Sequence, residues 1–174
     1  GYSGKFPRVI SIQRPVELTQ HNSRIEWTIR FVLSVVKEQK GYEPDAIMLL
    51  YTNAPLRRHT HIEKAIDTLL IFNVESVISV CEDLGVYYQH GKKGLTPLRK
   101  KWLLRLEREA LYRENGAIYL SKRSTFETGE FLGKSLGHIV MLPQESIKIE
   151  NTFDFWLAEK IIGEWRKRAI HGKT

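Results

Sequence analysis

The chain has 174 residues, 42% hydrophobic and 27% charged, enough for one ordinary domain that buries about two thirds of its unfolded surface, which excludes disordered and collagen-like classes. A lone cysteine, Cys81, excludes an intramolecular disulfide and a cysteine-rich metal site, no stretch approaches the ~20 apolar residues of a membrane span, and GYSGKFPR lacks a signal-peptide core, so a cytoplasmic protein without a membrane segment is expected. The 27 Lys and Arg against 20 Asp and Glu leave a net +7, which favours a polyanionic partner: nucleic acid, nucleotide phosphates or an acidic small molecule.

In chain order, RVISIQ (8–13) predicts a short strand ending at Arg14-Pro15, where proline removes a donor. Residues 22–39 predict a helix from a Ser23 to Glu26 capping box and from Ile25, Ile29, Val32 and Val36 at helical spacing. AIMLLY (46–51) lacks polar alternation and predicts a central strand covered on both faces. After the loop TNAPLRRH, a second capping box, Thr60 to Glu63, opens a helix with Ile62, Ile66, Leu69 and Leu70 on one stripe, and residues 76–81 predict another buried strand.

The alternation of strand and helix predicts an α/β three-layer sandwich with right-handed crossovers and ligands beyond the carboxyl ends of its strands, which puts TNAPLR at a functional edge. Residues 86–110 form an excursion with turn glycines and dense positive charge; then GAIYLS predicts a strand, STFETGEF a short helix and GHIVMLP a strand. Residues 152–166 predict a closing helix with Phe153, Trp156, Leu157, Ile161 and Trp165 inward. With no repeats or interdomain linkers, residues 1–174 read as a single domain.

Conventional phosphate signatures are missing: there is no Walker A sequence and no GxGxxG after a strand. His59 and His61 lie two apart at a loop-to-helix junction without a third ligand at helical spacing, and no Ser-His-Asp order can be assigned. LRKKWLLRLER interleaves basic residues with Trp102. A nucleic-acid stripe is one reading, a solvated helix face with Trp102, Leu103 and Leu106 inward is the favoured one, and arginines placed to hold a carboxylate or phosphate bidentately are the third.

Four segments in this order resemble the acylneuraminate cytidylyltransferase family, the CMP-sialic acid synthetases and their relatives. RPVEL resembles its Arg-Pro-x-x-Leu segment. LLYTNAPLRRHTHIEKAI resembles its strand, Thr-Ser-Pro-Leu-Arg loop and helix. LRLEREALYRENGAIYL resembles its arginine segment and Asn-Gly-Ala-Ile-Tyr, and SIKIENTFDFWLAEKI its Ser-Ile-Asp-Ile-Asp-Thr segment with the closing helix. The likeness spans roughly residues 9 to 163.

The resemblance implies a mostly parallel, Rossmann-like sheet of the nucleotide-diphospho-sugar transferase type. It also implies coupling of CTP to an acidic nine-carbon sugar with release of pyrophosphate and with Mg²⁺ on the phosphates. Carried over by position, Arg105 would face the sugar carboxylate, and Asn115, Tyr119 and Tyr51 would line the sugar pocket. Arg14 and Arg57 would hold the nucleotide or brace its loop, Glu150 would ligate the metal, and residues 86–110 would pair a homodimer with Trp102 as anchor. For Asn115-Gly116 the residues alone indicate a tight turn, and for Tyr119 a core aromatic of a strand.

The chain also departs from the family. Its Gly-Ser-Lys phosphate loop has no counterpart before Arg8, so either these residues are part of a longer enzyme, or that element comes from another chain, or the CTP chemistry is lost. The Asp-x-Asp metal pair reads Lys148 and Glu150, Tyr51 stands at a glutamine position, and His21 at an aspartate position. A catalytically silent sugar-binding relative is therefore the alternative, and a basic nucleic-acid module the third reading.

Overall fold

The computed structural model describes residues 9–20, 22–98, 104, 107 and 109–171. The periodic segment after Asn22 forms α1 (Ile25–Lys40), which buries Ile29 and ends where Gly41 turns left-handed, φ 61°, and donates its N–H to Lys37 O. Its cap differs from the expected box. Arg24 is the N-cap residue and Ser23 Oγ donates instead to Glu17 O at 3.0 Å, in a 3₁₀ turn over Val16–Leu18.

The expected strand at 8–13 is not formed: residues 9–15 are irregular, and Val9 and Ile10 are half exposed. An alternating sequence yields a strand only where a partner strand takes up its backbone groups, and none pairs here among the described residues.

Among the described residues four strands make the main sheet: β1 (Ala46–Leu49), β2 (Ser76–Asp83), β5 (Leu111–Lys122) and β6 (Leu136–Val140), in the order β1-β5-β2-β6. β5 runs antiparallel to both β1 and β2, while β6 is parallel to β2. The sheet is therefore mixed, with two of its three pairings antiparallel, in place of the mostly parallel ladder the sequence predicts. The reason lies in the connection. Between β2 and β5 the described residues make a hairpin, β3 (Tyr88–Gly91) with β4 (Gly94–Pro97), and the chain returns alongside the strand it left. Inserted there, β5 takes the central place expected of AIMLLY, and β1 lies at the edge.

Residues 115–121 of β5 are buried without interruption. Ile118 and Val77 are fully buried in a cluster with Ala65, Leu69, Leu120, Ile139 and Met141, each large apolar side chain contributing about 1.5–3 kcal/mol. Two helices present faces other than those expected. α2 (His59–Ile71) buries His61, Ala65 and Leu69, leaving Ile66 and Leu70 exposed. Small Ala65 and flat His61 on one i, i+4 line let this helix sit close on the sheet. α4 (Thr152–His171) buries Ala158, while Phe153 and Trp156 stack on each other outside, ring centroids 5.7 Å apart. The short α3 (Arg123–Glu127) is tied to α1 by Arg30 Nη2, which donates to Phe126 O at 3.0 Å. Among the described residues no helix is long and apolar enough to cross a membrane.

Candidate functional site

The pairing of β2 with β5 is broken at one place. Ile78 pairs with Tyr119 and Val80 with Glu114, so four residues of β5, Asn115 to Ile118, stand opposite Ser79 alone. This wide bulge is possible because Gly116 adopts φ 69°, the left-handed region that costs other residues strain.

Side chains stitch the bulge. Ser79 Oγ accepts from Ile118 N at 2.7 Å and donates to Asn115 Oδ1 at 2.6 Å, which also accepts from Ala117 N at 3.1 Å. Asn115 Nδ2 donates to Ser146 Oγ at 2.9 Å, and Ser146 Oγ donates to Leu142 O at 2.9 Å. Asn115, 2% exposed, thus spends most of its hydrogen-bonding capacity on the fold while its edge forms part of a wall.

That wall belongs to a cavity of about 440 Å³ lined by Arg113, Glu114, Asn115, Ser146, Lys148, Glu150 and Asp154. A second cavity, about 600 Å³, lies at the carboxyl-terminal ends of β2 and β6, between Cys81–Gly85 and Val140–Pro143, and Arg113 and Pro143 line both. This is the sheet edge at which ligands of α/β folds bind. Most charges here have partners. Lys148 Nζ is 2.8 Å from Glu150 Oε1, Asp154 Oδ2 accepts from Glu150 N and Asn151 N, and Glu114 accepts from the Tyr119 hydroxyl. Among the described residues no carboxylate pairs with Arg113.

The expected site residues fall into three groups. Asn115 and Glu150 line the polar cavity, with Tyr119 and Tyr51 beside it: their rings meet edge-on at 5.7 Å, and a side chain at Gly116 would touch both Lys148 and the Tyr119 hydroxyl. Burial, and then the bond to Glu114, push the Tyr119 hydroxyl far above the ordinary phenol range; burial also raises Tyr51, against the pull of Lys148. Tyr119 therefore acts here as a neutral donor.

Arg57 and Arg14 stand apart from this cavity. Arg57 Nη1 donates to Ala117 O at 2.6 Å and Tyr51 O at 3.3 Å, bracing the TNAPLR loop against the bulge, and burial lowers its affinity for its proton. Arg14 is exposed in the irregular segment before the 3₁₀ turn. Arg105, Trp102 and His21 lie outside the described residues.

Glu150 is the carboxylate expected to ligate Mg²⁺. It lies 2.8 Å from Lys148 Nζ, and Glu114 and Asp154 are the other carboxylates on this wall. Mg²⁺ is held by one or two carboxylates together with substrate phosphate oxygens, and Glu150 with Asp154 would be the residues to meet it.

Sequence reasoning missed Ser79, Ser146, Glu114 and Arg113. No local signal marked them: Arg113, Glu114 and Asn115 line one cavity in succession because the bulge breaks the strand's alternation. Compared with models of known protein families and with curated proteins, the chain matches none.

Proposed function

We propose that this chain is a nucleotidyltransferase-like domain of the CMP-sialic acid synthetase type, whose polar cavity takes an acidic nine-carbon sugar for coupling to CTP. The observation that carries the reading is Arg113, a guanidinium free of carboxylate partners among the described residues, set where two cavities meet at the carboxyl edge of the sheet. A planar, five-donor cation recognises a carboxylate bidentately. Asn115 and Ser146 on the adjoining wall offer amide and hydroxyl groups to sugar oxygens, and a volume of about 440 Å³ lies within the usual range for small-molecule sites.

In the proposed reaction the anomeric hydroxyl of the sugar attacks the α-phosphate of CTP in line, forming a sugar–phosphate ester as the bond to the leaving pyrophosphate breaks. The hydroxyl proton passes to solvent water in the same step. Positioning and electrostatics supply most of the acceleration in such transfers. On this wall, Lys148 and Arg113 are the cations available to developing phosphate charge. The reading places the domain among three-layer, Rossmann-like nucleotide-diphospho-sugar transferases, with β5 as its antiparallel insertion. It also makes the protein a cytoplasmic homodimer joined through residues 86–110, where the β3–β4 hairpin exposes Tyr88, Leu95 and Leu98.

A second reading is favoured by the ion pair of Lys148 with Glu150: a relative that binds the acidic sugar without transferring a nucleotide. Pyrophosphate release with CTP, Mg²⁺ and a panel of nine-carbon acidic sugars separates the two, with calorimetry on N-acetylneuraminate alongside. Turnover lost in Arg113→Ala supports the transferase. Sugar binding without turnover or CTP binding supports the silent relative, and binding of neither ligand overturns both.

A further inference from the structure

One buried charge cluster lies outside the cavity and touches its frame. Glu145, 5% exposed, closes a 3₁₀ turn over Pro143–Glu145 and directly precedes Ser146, the residue that holds the Asn115 amide. Its Oε1 is 3.0 Å from Arg58 Nε; its Oε2 is 3.4 Å from His61 Nε2 and accepts from Leu142 N at 3.3 Å. His61 is itself buried and uses its other nitrogen. Nδ1 accepts the N–H of Arg58 at 3.1 Å, at the start of α2. This bond requires Nδ1 to be unprotonated, so the neutral ring carries its proton on Nε2, facing Glu145.

We propose that His61 and Glu145 are positioning residues: together they form a strut from the start of α2 to Ser146, and protonation of His61 loosens the Asn115 wall of the polar cavity. A second proton on the ring must go to Nδ1, which then turns from acceptor into donor and breaks the bond from Arg58 N–H. The backbone at the start of α2 then loses its bond to the ring, and the loop that Arg58 ends is held to the turn by side chains alone, through Arg58 Nε and Glu145 Oε1.

The charged groups that face the ring are Glu145 from the turn, Arg58 from the loop and Lys64 from α2 itself. Burial, the largest influence, holds His61 below the ordinary imidazole range; Glu145 opposes this and the two cations reinforce it. The folded chain therefore favours neutral His61. The strut is intact above the unfolded imidazole value and is lost as pH falls through the lowered folded value. Regulation of sugar binding by this strut rests on the proposed reading of the cavity; the strut itself does not.

The test is amide hydrogen exchange on the full chain at about pH 7.5 and about pH 5, corrected for intrinsic exchange, on the unmodified protein, Glu145→Gln and His61→Asn. His61→Asn keeps an acceptor near Nδ1 and cannot be protonated. Acidification is expected to lower protection of Arg58 and residues 115–118 by about fivefold, the size set by one hydrogen bond. Glu145→Gln should show that loss already at the higher pH, and His61→Asn should flatten the pH profile.

Protection at 115–118 that ignores both pH and Glu145→Gln overturns the strut, whether or not a sugar binds. N-acetylneuraminate affinity falling in parallel with protection supports the strut and the sugar site together. Coupled protection with no sugar binding in any variant supports the strut and overturns the sugar site.

Discussion

Asn115 Nδ2 donates to Ser146 Oγ at 2.9 Å, and this single bond joins the bulge of β5 to the segment that follows β6. Both residues are buried, both line the polar cavity, and 31 positions separate them. A carboxamide suits the place because it accepts twice from the bulge through one atom and donates to Ser146 through the other.

Asn115→Ala removes that carboxamide and leaves the hydroxyls of Ser79 and Ser146 with one partner fewer in a buried setting. Each buried group so deprived costs about 1–3 kcal/mol. Urea denaturation should place the loss of stability at about 3 kcal/mol; a loss below about 0.5 kcal/mol would mean that the bulge holds without the amide.

Gly116→Ala meets no wall, since its nearest neighbour is the flexible Lys148 Cδ at 3.6 Å. Its cost comes from the left-handed backbone, at about 1–2 kcal/mol. Gly163, in the middle of α4 with open space around it, supplies the contrast: Gly163→Ala should stabilise by about 0.5–1 kcal/mol. Thermal melts of the two variants should therefore move in opposite directions.

Arg113→Ala takes away a guanidinium that makes no ion pair among the described residues, so the melting temperature should stay within about 2 °C of the parent. Affinity for N-acetylneuraminate should fall about 10- to 100-fold, as for the loss of a charge-assisted bidentate contact, and Arg113→Lys should recover only part of it. Unchanged affinity in calorimetry would remove Arg113 from the site.

Glu43, which is not part of this cavity's lining, sits between Lys37 and Arg123, at 2.5 Å and 2.7 Å. Their hydrogen bonds and charges hold its carboxyl down at about 2 against an ordinary 4.5. Because the folded value is depressed, any stabilisation is present above pH 4.5 and is lost as pH falls through about 2. Carboxyl titration by NMR should find Glu43 low in the parent and moved toward its ordinary value in Arg123→Ala. Salt should weaken the difference, since the group is solvent-exposed.

How much was legible before folding depends on the distance between partners. α1, α2 and α4 were readable because helical hydrophobic spacing is local, and SVISVCE and GAIYLS read as strands from their buried apolar character. Which helix face turns inward was less readable: Ala158 and Ala65 are buried where Trp156 and Ile66 are exposed, because close approach to the sheet rewards small side chains over large ones.

The site divides the same way. Asn115 and Glu150 could be singled out from their segments, but Ser79 bonds Asn115 across 36 positions and Arg57 bonds Ala117 across 60. No local pattern marks Ser79 as the residue opposite a bulge.

By itself, the sequence determined the helices, the buried strands and the αL glycine after Asn115, since each follows from periodicity or backbone sterics within a few residues. Only the tertiary structure decided that β5 returns antiparallel between β1 and β2, that Lys148 pairs with Glu150, and that Arg113 has no carboxylate partner among the described residues where two cavities meet. Those outcomes depend on which distant backbone groups and charges meet once β5 returns antiparallel beside β2, and on the backbone's need to satisfy every buried donor and acceptor wherever the chain brings them together.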